Sequence, residues 1–546
     1  MSRERAFFLF ALALFMGLAA YQLTLPGLHY DEAFEAVPAM RLLLRQPVTT
    51  FRGNGLLLGG RLFPLMTQDY IGAINTYAAI PFFWLLGINL VSLRVMAIAI
   101  GLVTLCLTHR LARELYGPTA AGLATLLLAV NPTFVFWSRQ GVFVTSATAA
   151  IGLGATLAWL RWWRTGARRH AIAGAFLCGL GLYAKLLFLW LIVALGLAAV
   201  IFSRKSGEQA FSRSRIPRSL IVWSGLAFLL GVAPLVVYNL QTGGTLSSIG
   251  GNLTTSYYGT SNLAFWPNLL ERLNQFGAVL AGSHFWYLGG TYANRVSVGL
   301  FLAALVGTLW LAAGPARDEA RRVLFPFVVI GGVILVSCAT VSALWVTHFA
   351  ILAPWPPLAI AAAVDLFVRR GVHRLNIPAS PPKGGILPGS PPFGGSGGLS
   401  GRVRGYPLAL IVVWTLVGAA WVGDIFTDVR YHRALAVSGG LGAHSDAIED
   451  LARWLAAGER RGVPVAAMDW GIAAPVTFLT RGAVTPVEAF GYAWETDADF
   501  AARLSRFIHD PASIYLWRAP DEIIFNRSAD FKRLYQPLDL EEDILE

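Results

Sequence analysis

Residues 78–87 read AAIPFFWLLG, and whether they cross a membrane decides how the rest of the chain is threaded. A spanning helix needs about 20 apolar residues. These ten are too few, Pro81 interrupts them, and they lack flanking positive charge, so they suit an interfacial or re-entrant helix. Outward from here, apolar windows of spanning length lie near 6–25, 92–109, 118–136, 142–160, 171–186, 187–203, 219–239, 296–313, 323–343, 346–368 and 406–426. The run 171–203 reads as two short helices hinged near Lys185. With the N-terminus (Arg3, Arg5) inside, the inner loops are THRLARELYG, RWWRTGARRH, SRKSGEQAFSRSRIPR, GPARDEARR and Arg369 to Arg404, each rich in Arg or Lys. The outer loops, chiefly 26–91 and 240–295, are much poorer in them. Counting 78–87 as a span would invert this positive-inside pattern.

Composition agrees. Of 546 residues, 55% are hydrophobic and 14% charged, whereas soluble domains average about a quarter charged. The net charge of +12 sits between apolar segments, as cytoplasmic anchors do, and no nucleic-acid motif competes with that reading. Cys106, Cys178 and Cys338 form neither a CxxC pair nor a disulfide framework. Residues 1–20 have a basic start and an apolar core but no convincing cleavage site, and read as a retained first span. The fold class is therefore a polytopic α-helical membrane protein of about 11 spans plus interfacial helices, multi-pass in the inner membrane with a cytoplasmic N-terminus.

Two segments differ. Within 375–404, PASPPKGGILPGSPPFGGSGGLSG (378–401) is too rich in Pro and Gly to build a core and reads as a disordered cytoplasmic linker. From 438 to 546 the chain reads as a small soluble α/β unit on the extracytoplasmic side. Its signals are a helical period in SDAIEDLARWLAAGERRG, a strand VPVAAMDW, a helix IAAPVTFLTRG, then SIYLWRAP and EIIFN. About three strands are expected. Residues 1–430 form the membrane domain, with an external loop at 26–91.

That loop opens with HYDEA, 29–33. Ionisable residues at a membrane boundary point to function by default; Asp31 and Glu32, with Glu35 one turn on, also fit a solvated acidic helix start. HYDEA, YIGAINTYAAIPFFWLLGINLVSLR (70–94), NPTFVFWSRQG (131–141), GLGLYAK (179–185) and GVAPLVVYN (231–239) together resemble the GT-C superfamily of membrane glycosyltransferases. The closest groups are the protein O-mannosyltransferase-like and aminoarabinose-transferase-like bacterial enzymes. Each motif is weak alone; their order over about residues 1–300 is specific. The resemblance implies a GT-C membrane domain that transfers a sugar from a polyprenyl-phosphate donor to an acceptor outside the cytoplasm.

The family's acidic motif falls on Asp31 and Glu32. The resemblance makes Asp31 the general base toward an acceptor hydroxyl, inverting the anomeric carbon. Glu32 would orient the loop by pairing with Arg94, which otherwise reads as a snorkelling arginine. The lipid phosphate needs cations: Lys185 first, then Arg139, with Arg61, Arg295 and His348 behind them. Lys185 also reads as the cap of a short span, and His348 as an interfacial histidine. Tyr30 adjoins the acids, and Asp69 is either a further external acid or a helix cap. Many relatives carry an acid a few positions after the SR turn; here the chain reads GVFVTSATAA, so a second catalytic carboxylate there lacks support. His29, His284 and His348 show no metal-ligand spacing, so no dedicated metal or other cofactor is expected, though divalent-metal dependence stays open. The aromatic density at 257–292 fits an interfacial belt or a sugar-stacking surface equally.

The expected partners are the lipid donor, a lipid, glycan or protein acceptor, and the bilayer, with no nucleic acid. A transporter or lipid flippase is the alternative, but no two-fold repeat of interrupted helices is visible. A scaffold that has kept the fold without catalysis is the third.

Overall fold

The computed structural model describes residues 3–140, 144–203, 217–256, 258–314, 317–339, 343–375, 400–460, 462–491, 497–538, 540 and 543–544. The chain is a polytopic helical membrane protein. In order, its helices are α1 (Arg3–Ala20), α2 (Tyr30–Leu44), α3 (Ile74–Leu86), α4 (Leu90–Tyr116), α5 (Pro118–Ala129), α6 (Pro132–Gln140), α7 (Val144–Thr165), α8 (Arg168–Ala184), α9 (Phe188–Ser203), α10 (Arg218–Thr242), α11 (Gly244–Gly251), α12 (Phe265–Ala281), α13 (Arg295–Ala313), α14 (Arg317–Val323), α15 (Phe325–Ser337), α16 (Trp355–Leu375), α17 (Ser400–Ser438), α18 (Ala447–Ala456), α19 (Ala473–Leu479), α20 (Asp497–Ile508) and α21 (Ser528–Tyr535). Among the described residues four helices are long and apolar enough to cross a membrane singly, or seven if three bent pairs each count as one span.

The bent pairs are where windows read from sequence lose the geometry. The window 118–136 is α5 and α6 meeting at 64°, and 346–368 is a short 3₁₀ segment plus α16 meeting at 46°. Pro132 opens α6 and cannot continue the α5 hydrogen-bond ladder. The first helix ends at Ala20 rather than 25. Of the linker expected at 375–404, 376–399 lie outside the described residues, while Ser400 already begins α17. Helix α3 holds 78–86 and Gly87 caps its end, with Trp84, Leu85 and Leu86 exposed. Helices α8 and α10 approach so closely that a Cβ on Gly179 would meet the Phe228 carbonyl, and one on Gly231 the Phe176 carbonyl. Small residues allow that approach in a bilayer.

Outside the bundle, the loop after α1 carries α2, a hairpin of β1 (Leu56–Leu58) and β2 (Arg61–Phe63), and a second of β3 (Met66–Gln68) and β4 (Ile71–Gly72). The C-terminal region holds a parallel three-stranded sheet, β5 (Val465–Ala467), β6 (Val487–Glu488) and β7 (Ile514–Leu516), in the order β6-β5-β7. Alternation along β5 feeds two cores. Val465 and Ala467 pack with Leu455 and Val476, whereas Ala466 and Met468 pack with Phe500, Leu504 and Phe531. EIIFN is not a strand: Ile524 and Phe525 donate backbone N–H groups to Asp469 at 3.0 and 2.9 Å. The third strand is instead the two-residue β6. Helix α19 packs on α2, with Phe478 against Phe83 of α3 at 5.6 Å between ring centroids.

Candidate active site

The acidic motif is the N-terminus of α2. His29 caps it: its Nδ1 accepts the Asp31 N–H at 3.2 Å, while the Glu32 carboxylate accepts the His29 N–H at 3.4 Å. This capping box fixes both neighbours of the helix start. Glu32 turns inward to Arg94 near the start of α4, Nη2 to Oε2 3.0 Å, with both side chains wholly buried. Arg94 also donates to the carbonyls of Leu23 (2.9 Å) and Gly27 (3.3 Å). Asp31 turns the other way. Its side chain is 35% exposed, 3.8 Å from His29 Nδ1. One carboxylate is thus committed to the frame and its neighbour faces outward.

Two groups surround Asp31 electrostatically. Glu35 is buried, accepts from Asn75 Nδ2, and is pushed up to about 8 by burial, with the Asp31 charge adding to the shift and Asn75 and Lys185 opposing it. Lys185 is pulled down to about 8 by burial, against the charges of Asp31 and Glu35. It lies in the turn between α8 and α9 and is stitched to the external loop: it bridges Ile71, and Leu186 N donates to Tyr70 O at 3.0 Å. The loop that carries the acids therefore also sets the lysine.

A second cation reaches this region that the sequence reading did not single out. Arg272 of α12 is wholly buried, its guanidinium 5.5 Å from the Trp190 ring and 5.3 Å from Phe349. Nη1 donates to Gln275 Oε1 at 2.9 Å, while Nε and Nη2 have no hydrogen-bond partner among the described residues. His348 sits edge-on to the same Trp190 at 5.9 Å, its Nδ1 likewise unpartnered among the described residues. The charges of Lys185 and Arg272 both act on this ring. An anion is the natural complement of such a cluster. The available signal was spacing: 272, 276 and 279 share one helical face, and Phe276 and Val279 are core residues.

The other candidates fall elsewhere. Arg139 is buried and donates to the carbonyls of Tyr21 (2.7 Å), Gln22 (2.5 Å) and Leu25 (3.2 Å), and contacts His432 Nδ1 at 3.3 Å. With Arg94 it clamps the turn that leads into HYDEA. Asp69 holds Arg52 through both oxygens (2.8 and 2.7 Å) and accepts from the Tyr238 hydroxyl at 2.6 Å. Burial would raise its carboxyl; Arg52 and Tyr238 win and lower it. Asp69 so ties the external loop to α10. Arg61 lies on the exposed hairpin, 3.4 Å from the Leu42 carbonyl, and Arg295 is exposed at the start of α13. Tyr30 is buried against Trp470 (4.8 Å) and hydrogen-bonds Glu488. His29 stacks on His444 at 4.1 Å, and His444 on Tyr287 at 3.8 Å. The C-terminal unit thus roofs the motif. No group of three or more His, Cys, Asp or Glu that could hold a metal occurs among the described residues.

Comparison with known proteins follows this geometry. The family model described as dolichyl-phosphate-mannose-protein mannosyltransferase matches residues 75–238. ArnT from Cupriavidus metallidurans in the apo state superposes with a TM-score of 0.58 at 12% identity, covering 97% of this chain and 91% of that one. The chain shares the fold of that membrane protein along nearly its whole length. The same ArnT bound to undecaprenyl phosphate matches with a TM-score of 0.54 at 13% identity, over 93% of this chain and 89% of that one. A further similar structure is the archaeal oligosaccharyltransferase AglB from Archaeoglobus fulgidus, in complex with an inhibitory peptide and a dolichol-phosphate. Its TM-score is 0.52 at 12% identity, over 88% of this chain and 63% of that one. No curated protein matches the chain in sequence. The family model takes in Arg94, Arg139 and Lys185 but begins after Asp31 and Glu32.

Proposed function

We propose that the chain is an inverting glycosyltransferase that takes a sugar from a polyprenyl-phosphate donor. Asp31 accepts the proton of an acceptor hydroxyl as its oxygen attacks the anomeric carbon. The carbon–oxygen bond to the lipid phosphate breaks on the opposite face, and the polyprenyl phosphate departs with the bonding pair. Lys185, Arg272 and His348 hold that phosphate, while Glu32 and Arg94 position the base. Glu35, protonated near neutral pH, adds no second negative charge beside Asp31. In this reading the membrane domain has eleven spans in the inner membrane, the N-terminus lies in the cytoplasm, and Asp31 and the C-terminal unit face outward. The acceptor hydroxyl belongs to a lipid, glycan or protein.

The observation that carries the reading is the division of labour at α2: a wholly buried Glu32–Arg94 pair sets the helix, leaving the Asp31 carboxylate partly exposed and free of that pair. ArnT with undecaprenyl phosphate and AglB with dolichol-phosphate support a lipid-phosphate donor on this fold. The test incubates the purified protein in nanodiscs with a panel of polyprenyl-phosphate sugars. Wild type is expected to turn over at least one donor, and Asp31→Asn to lose about 10²–10⁴-fold in kcat with folding intact. Undiminished turnover by Asp31→Asn would remove it as the base, and no turnover by wild type across the panel would count against the transferase.

A further inference from the structure

A cavity of about 580 Å³ lies between the first two turns of α1 and the last turns of α4, far from the acids. Arg94, beside Glu32, and Arg113, on the cavity wall, are 19 residues apart on one helix, about 28 Å along its axis. That is close to the thickness of a hydrocarbon core. The cavity therefore opens at the opposite membrane boundary from the acidic motif.

Its chemistry is two-sided. Phe8 and Cys106 supply an apolar wall; Arg5, Arg110 and Arg113 supply cations. Against three arginines stands one carboxylate, Glu4, which pairs with Arg113 (Nε to Oε1 3.0 Å) and lies 3.5 Å from His109 Nε2. The His109 ring is fixed by Phe8 at 4.5 Å and by Thr125 Oγ1 at 3.2 Å from Nδ1. Arg110 is exposed and forms no ion pair among the described residues. A positive-inside loop would spread its charges over the surface; here they line one concavity with an apolar wall. Basic pockets between helices at a bilayer boundary select anionic lipid headgroups.

We propose that this cavity is a binding site for an anionic phospholipid, its phosphate on Arg110 and Arg113 and an acyl chain along Phe8 and Cys106. The site is independent of the transfer reaction, so its test reads binding and not turnover. Native mass spectrometry of the full chain, released from phosphatidylcholine membranes containing phosphatidylglycerol, is expected to retain one phosphatidylglycerol. Arg110→Gln should weaken that binding about fivefold, the effect of one cation near an anionic surface, and Arg110→Lys should restore most of it. Equal retention of phosphatidylcholine, or unchanged retention in Arg110→Gln, would overturn the proposal. So would thermal stabilisation by inorganic phosphate alone that matches the lipid's, since that would assign the cations to a free anion.

Discussion

Arg94 and Glu32 meet with no solvent on either side chain, so the pair is a fixture and not a surface contact. Removing one partner of a buried pair leaves the other charge uncompensated, at a cost of about 3–5 kcal/mol. Arg94→Met is therefore expected to lower thermal stability by that order, and Glu32→Gln/Arg94→Met to recover part of it. A double-mutant cycle read by thermal unfolding in nanodiscs checks both. Glu35 yields a pH signature. Its folded value near 8 lies above the usual carboxylate value, so the stability held by its proton is fully present below about pH 4.5 and is lost as pH rises through about 8. Glu35→Gln cannot titrate. The difference Tm(Glu35→Gln) minus Tm(wild type) should grow between pH 4.5 and 8 and level off above. The Glu32–Arg94 pairing was legible in the sequence because two motifs carried it. Arg272 was not, because a cation on a short amphipathic helix looks solvated until the helix against it is known.

At the scale of elements, Asp69 shows how an acid near the membrane serves as a joint. Its ion pair with Arg52 and its bond to Tyr238 pin the external loop to α10. Its folded value is depressed, so this contribution is present above the unfolded value and is lost as pH falls through the folded one. Arg52→Ala should speed proteolysis within 50–72 near neutral pH, and the difference from wild type should shrink in acid. The contact between α8 and α10 depends on two glycines. Gly179→Leu must push the helices apart, and a large drop in thermal stability or in recoverable folded protein is expected. The positions of the apolar helices were legible because hydropathy reports what lipid requires. The bends were not: averaging over a window erases the single residue, such as Pro132, where a ladder stops. Strand β6 escaped for a related reason, since two residues cannot display alternation.

Taken whole, the molecule builds its candidate site from distant parts: the turn after α1, the junction of α8 and α9, α12, and the C-terminal sheet. The sequence order of the motifs pointed to the fold, but not to the roof over residue 30, because aromatic stacking between segments 400 residues apart leaves no trace in either segment. Trp470→Ala is expected to lower turnover of a lipid-linked donor severalfold while leaving membrane insertion intact, measured with the donor panel and a membrane-flotation control. The column of rings His29, His444 and Tyr287 carries a practical corollary for anyone building chimaeras from related chains. A splice at the end of α17 looks clean on paper, since the sheet beyond it has cores of its own. Yet it would part a histidine from the histidine it lies against, two residues from the outward carboxylate. The working seam is near residue 29, and a donor tail would have to bring matching rings to it.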